Sequence, residues 1–230
     1  MIKNRVAQLT YRAIFLAISL FGIIESFGLF AGQTPNLECF VYYTSLSNFL
    51  CFGVMLAVFI STYRYVKNGQ LQGTNTCCKQ LKFYSSIAIL VTFLVYNILL
   101  TDNMFGPGWN NLGNLTKHII CPLLFVLDGL LFDAHKQIKW YDTLLCTVLP
   151  LIYVAFILIR GAILPNDYTG VIYPYFFLDV NEIGIGKVFL WVLILLVIFI
   201  AIAWLFYVYD KLVKKDGKWK LDFSKNKVND

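Results

Sequence analysis

Charge is scarce in this chain. Of its 230 residues, 14% are Asp, Glu, Lys or Arg, against about a quarter in an ordinary soluble domain. Hydrophobic residues make up 59%, too many for the remaining polar surface to clothe a water-soluble globule. A soluble enzyme is thereby excluded, and lipid is the expected solvent for most of the chain. Histidine is nearly absent, with two in all. No H-E-x-x-H occurs, which argues against an intramembrane zinc protease. His118 and His135 bracket one apolar run and stand roughly 25 Å apart by helical rise, too far to ligate one haem. There is no G-x-S-x-G elbow and neither of the glycine patterns that cradle phosphates. No metal or organic cofactor is expected. The six cysteines form no framework. A Cys39–Cys121 bridge would need a geometry that sequence does not supply. Adjacent Cys77 and Cys78 are candidates for palmitoylation, with reduced thiols the expected state.

What the chain does have is long apolar sequence. Six segments approach or exceed the roughly 20 residues that cross a hydrocarbon core, near residues 8–30, 42–65, 83–100, 116–132, 141–160 and 186–209. Backbone polar groups in hydrocarbon must be satisfied within their own segment, so each is expected to be a helix. The expectation is an all-α integral membrane protein, a six-helix transmembrane bundle over residues 1–210 with a basic tail over 211–230. The first span follows Lys3 and Arg5 but is too long for a signal peptide and lacks a small-residue cleavage site. With the N-terminus placed inside, sixteen of the nineteen Lys and Arg collect on the inner side, leaving Lys117, Arg160 and Lys187 outside. That is a strong positive-inside bias, predicting both termini in the cytoplasm and a plasma-membrane location. The formal charge of +6 is then a topology signal, and nucleic acid is not an expected partner. Membrane lipids are, with the tail near anionic head groups. Nothing in the sequence fixes an oligomeric state. Asn114-Leu115-Thr116 is a glycosylation sequon on the expected outer side.

Polar groups inside a span are costly and by default face the bundle interior or a watery cavity. Here they are Glu25, Thr44, Ser45, Ser47, Asn48, Asn97, His118 and Asp128. Thr44, Glu25, Asn97 and His118 lie towards the outer ends of four different spans, which marks a candidate site. Thr44, Ser47, Asn48 and Cys51 fall at i, i+3, i+4 and i+7, one stripe of the second helix. Asp128 lies about 15 Å below His118 along the axis, too deep to orient that imidazole directly unless Pro122 distorts the helix.

A hydroxyl beside a histidine is the minimum apparatus for acyl transfer, because the imidazole takes the hydroxyl proton and returns it to the leaving group. Thr44 and His118 are the pair in question. The plainer alternatives are a helix cap for Thr44, an interfacial side chain for His118 and helix–helix glue for the serines. Glu25 and Asp128 offer another alternative, a proton or solute path in a non-enzymatic protein. Two outer loops complete the picture. One carries Trp109 among glycines and asparagines; the other carries Tyr173, Tyr175 and Asp179 in a run too aromatic for a solvated linker. Both are candidate lids over a cavity, although interfacial anchoring would use the same residues.

Three motifs come in a fixed order: Tyr43-Thr44-Ser45-Leu46-Ser47-Asn48, then His118-Ile119-Ile120-Cys121-Pro122 with Asp128, then Tyr173-Pro174-Tyr175-Phe176-Phe177-Leu178-Asp179-Val180. Together they resemble a bacterial-type branch of the androgen-induced gene 1 and androgen-dependent tissue factor pathway inhibitor regulator family. The likeness extends from the first span to the sixth. It implies a multi-pass threonine hydrolase of fatty-acid esters of hydroxy fatty acids, with Thr44 as nucleophile and His118 as its partner. Asn48, Asn97 or helix-start amides are candidates for the oxyanion donors on chemical grounds.

Overall fold

The computed structural model describes residues 1–29, 35, 37–101, 112–165 and 168–213. Trp109 and most of the basic tail lie outside them. Six helices are long and apolar enough to cross a membrane: α1 (Arg5–Ser26), α2 (Tyr43–Lys67), α3 (Lys79–Leu100), α4 (Leu112–Phe132), α5 (Asp142–Ile163) and α6 (Ile185–Leu212). The described residues are otherwise turns, short helical pieces and two isolated bridges, so the chain is an all-helical, multi-pass membrane protein.

Several helices overrun their expected limits at the polar ends, for identifiable reasons. The α1 helix starts early because the Asn4 side chain accepts from the Val6 and Ala7 N–H groups at 2.9 and 3.2 Å, a side-chain cap. The α3 helix reaches back to Lys79 and so carries Lys82 into the bundle. In α4 the Cys121 N–H reaches Thr116 O, five residues back, across a π turn over Thr116–Ile120. Pro122 follows at once; it has no N–H to give the carbonyl four residues earlier, and the wider turn accommodates that loss.

The α3 helix is central, touching α2, α4 and α6, while α1 lies against α2 and α4. One apolar core joins Phe15, Val54, Met55, Val58, Ile89, Cys121 and Phe125 from these four neighbours. The α6 helix is apolar all round, with mean hydropathy 3.2 and Phe189, Leu193, Val197 and Leu205 exposed. Such a helix wants lipid. All six cysteines are free thiols, so Cys39 and Cys121 are unbridged. The sequon is helical, and its Thr116 is buried with the hydroxyl donated to Leu112 O at 2.7 Å.

Two basic residues expected only to flank the bilayer have a different role. Arg12 and Lys82 are among the most deeply buried side chains. Arg12 Nε meets Asp128 Oδ1 at 2.9 Å, and Lys82 pairs with both Asp128 and Asp133, the latter at 2.7 Å. Thr62 and Gln8 take further hydrogen bonds from the guanidinium, at 2.5 and 3.4 Å. The network clamps α1 to α4 at the end of the bundle remote from Thr44. Burial pushes the Asp133 carboxyl above its usual range, against the pull of Lys82.

Candidate functional site

The site is built from the first turn of α2 and the π turns of α3 and α4. Thr44, Ser47, Asn48 and Cys51 are all buried, as their helical stripe predicts. Asn48 Nδ2 donates to Thr44 O at 2.8 Å and to Lys117 O at 3.1 Å. One amide thus ties the turn bearing Thr44 to the turn bearing His118. Ser47 Oγ donates to Thr44 O at 3.0 Å and meets Thr92 Oγ1 at 3.1 Å, fastening the same turn to α3.

His118 is buried, and its ring stacks flat on Tyr96 with centroids 3.5 Å apart and planes 12° from parallel. Its Nδ1 is buried without a hydrogen-bond partner among the described residues. The π turn over Tyr96–Leu100 carries Tyr96 and Asn97; Asn97 Nδ2 donates to Phe93 O at 2.7 Å. The Tyr96 stacking partner was not singled out by sequence. Its signal was an aromatic one residue before a buried asparagine, which any interfacial tyrosine would also give. Among the described residues no hydrogen bond joins Thr44 to His118; Asn48 is the link between their turns.

On its other side Thr44 opens on a narrow apolar pocket of about 70 Å³ between α2, α3, α5 and α6. Leucines, valines and Phe199 form most of the wall, with the hydroxyl-bearing Tyr43, Thr44, Thr92, Tyr153 and Tyr175 among its lining. The Tyr175 phenol stands at the head of α2, where the Thr44 N–H donates to it at 3.4 Å, and it lies against the Thr44 side chain as well. Tyr42 gives α2 no side-chain cap, so a residue 131 positions away fills that place. Burial raises the Tyr175 phenol above its ordinary value and the Thr44 contacts lower it, burial being the larger effect.

The rest of the aromatic loop is strapped down. Arg160 Nη1 donates to Val171 O at 2.6 Å and Ile172 O at 2.8 Å, while Nη2 reaches the Tyr168 hydroxyl at 3.3 Å. Tyr173 lies over Gly161, where any Cβ would strike its phenol. Asp179 has a local task, capping the short helix Val180–Ile183 through the Asn181 and Glu182 N–H groups at 2.9 and 3.1 Å. It is not brought to Thr44.

The two carboxylates go elsewhere. Glu25 pairs with Lys117 at 2.6 Å, beside His118 in sequence, and Asp128 belongs to the Arg12–Lys82 network. No group of three or more His, Cys, Asp or Glu among the described residues could hold a metal ion. The chain matches no family model, curated protein or solved structure with which it was compared.

Proposed function

We propose that the protein is an intramembrane threonine-type hydrolase of lipid esters. The observation that carries this reading is the placement of Thr44, which lines an apolar pocket while Asn48 binds its turn to the turn of His118. A nucleophile needs substrate space on one side and a base within reach. The motif likeness to the androgen-induced gene 1 family supports the same assignment and suggests branched fatty-acid esters. Thr44 Oγ1 attacks the ester carbonyl carbon, and the imidazole of His118 takes its proton. Collapse of the adduct breaks the bond to the alcohol oxygen, which leaves with that proton. Water then repeats the sequence and releases the acid. The reading requires Thr44 and His118 to come together when substrate binds, since active-site hydrogen bonds often tighten only then. The lysine and arginine distribution supports both termini in the cytoplasm and a site opening towards the outer leaflet of the plasma membrane.

The carrier reading has less behind it. Glu25 and Asp128 are each already matched by cations, so neither stands as an unengaged proton site.

The test is hydrolysis of a branched fatty-acid ester by purified protein in detergent, beside Thr44→Ala and His118→Ala. Wild type should turn over, and each folded variant should lose at least about 100-fold in kcat. A Thr44→Ala protein as fast as wild type, or an acyl group trapped on another residue, would remove the assignment.

A further inference from the structure

An ester hydrolase has to stabilise the negative charge that forms on the carbonyl oxygen, and the largest electrostatic contribution commonly comes from donors fixed in advance. The two asparagine donors suggested by the sequence are already committed. Both bonds assigned to the Asn48 amide nitrogen run to backbone carbonyls, at Thr44 and Lys117, and Asn97 donates to Phe93 O. Neither side chain lines the cavity. Of the polar residues that do, Thr92 donates to Ala88 O at 3.1 Å and Tyr153 to Val41 O at 2.8 Å, while the buried Tyr43 hydroxyl has no hydrogen-bond partner, Thr44 included, among the described residues.

Tyr175 differs in its contact with Thr44. Its phenol oxygen accepts from the Thr44 N–H and interacts with the Thr44 and Tyr153 hydroxyls. The side chain is 9% exposed. Its ring is stacked on Phe177, centroids 5.1 Å apart and planes 4° from parallel, with Tyr42 and Tyr153 edge-on at 6.3 and 6.4 Å. A donor held this way need not reorganise as charge develops.

We infer that Tyr175 is a catalytic residue, donating its phenolic hydrogen bond to the oxyanion formed when Thr44 attacks an ester. This rests on the threonine-hydrolase reading. As the Thr44 Oγ1–C bond forms, the carbonyl π pair moves onto oxygen; that oxygen accepts from the phenol, and the threonine proton goes to His118. When the pair returns, the bond to the departing alcohol breaks. The proton of Tyr175 is shared in the adduct and never transferred, so the phenol ends each cycle as it began. The Thr44 N–H strengthens it by polarising the phenol oxygen from the positive end of α2. The helix start therefore acts on the substrate through the tyrosine.

The experiment compares wild type and Tyr175→Phe for hydrolysis of a p-nitrophenyl acyl ester and for inhibition by an acyl trifluoromethyl ketone, whose adduct on a threonine bears the same oxyanion. Labelling of Thr44 by a fluorophosphonate in wild type tests the underlying reading separately. With Thr44 labelled, Tyr175→Phe should lose about 100-fold in kcat with KM within twofold, and ketone affinity should fall in step with kcat/KM. A variant within threefold of wild type, or a ketone affinity that does not follow, overturns the inference and leaves the hydrolase reading standing. An unlabelled, inactive wild type removes both. Should Tyr175→Phe fold poorly, replacement of Tyr175 by 3,5-difluorotyrosine keeps the shape and makes the phenol more acidic. The alkaline limb of the pH–rate profile must then move to lower pH, and an unmoved limb overturns the inference.

Discussion

Arg12 and Asp128 form an ion pair at 2.9 Å in which neither side chain has any solvent exposure. Lys82 joins from α3 with a second cation on the same carboxylate. Removing Asp128 would strand the Arg12 charge in a low-dielectric interior and leave Lys82 with Asp133 alone. Breaking such a pair by deleting one partner costs about 3–5 kcal/mol. Asp128→Ala should therefore lower the melting temperature in detergent and the yield of folded protein far more than Thr44→Ala does. The protein that does fold should keep its ester hydrolysis, because the network lies at the other end of the bundle from Thr44. Activity per folded molecule, measured after size-exclusion chromatography, checks this. Loss of activity in a variant of wild-type stability would bring Asp128 back as a functional group.

This network also shows where sequence reasoning runs out. The six spans were legible because bilayer thickness imposes a length and hydrocarbon imposes helix. The Thr44–Asn48 stripe was legible because helical periodicity places i and i+4 together. Arg12 and Lys82 were not, since a basic residue near the end of a span reads as an inside anchor. Only the packing of α1, α3 and α4 reveals that both turn inward onto Asp128. The stacking of His118 on Tyr96 and the reach of Tyr175 to Thr44 are likewise non-local. Pro122 did point to a distortion in the fourth span, and the π turn is the form it takes.

The amide of Asn48 is predicted to matter through its two carbonyl partners. Asn48→Leu would take this donor from the Lys117 carbonyl, while the Thr44 carbonyl keeps Ser47 Oγ, and a buried unsatisfied group costs about 1–3 kcal/mol. Asn48→Asp should be worse at neutral pH, because a carboxylate presents oxygen to oxygen. Stability should fall in the order wild type, Leu, Asp. Hydrolysis should fall more steeply for both, since the turns of Thr44 and His118 would no longer be tied. Equal losses in stability and kcat would reduce Asn48 to a structural role.

Glu25 and Lys117 should behave differently. Their side chains are 27% and 16% exposed, and a partly solvated pair is worth about 0–1 kcal/mol. Glu25→Gln should leave hydrolysis within about twofold and barely move the melting temperature. The carboxylate sits where a Cβ on Gly113 would have to go, so Gly113→Ala should disturb the packing of α1 on α4 and destabilise more than Glu25→Gln. A proton or solute flux in reconstituted vesicles that depended on Glu25 would favour the carrier reading over the hydrolase.

The strap of Arg160 sets how firmly Tyr175 is held. Its planar guanidinium serves two carbonyls and the Tyr168 hydroxyl together, a fork that a lysine ammonium on its flexible stem does not reproduce. A hydrogen bond to a charged group is worth about 1.5–3 kcal/mol. Arg160→Ala should therefore free the loop around residues 168–178 before it unfolds the bundle. Limited proteolysis in detergent should cut this loop several-fold faster than in wild type, while the global melt shifts little. Hydrolysis should fall with it, because the phenol at Thr44 would no longer be held in place, and Arg160→Lys should recover only part of the loss. Gly161→Ala gives an independent arm: its Cβ would collide with Tyr173 and displace the same loop with Arg160 intact. If both variants resist protease as well as wild type yet lose hydrolysis, the strap does not act through the loop. If both are cut readily yet hydrolyse normally, the loop is an anchor at the membrane surface and takes no part in the chemistry at Thr44.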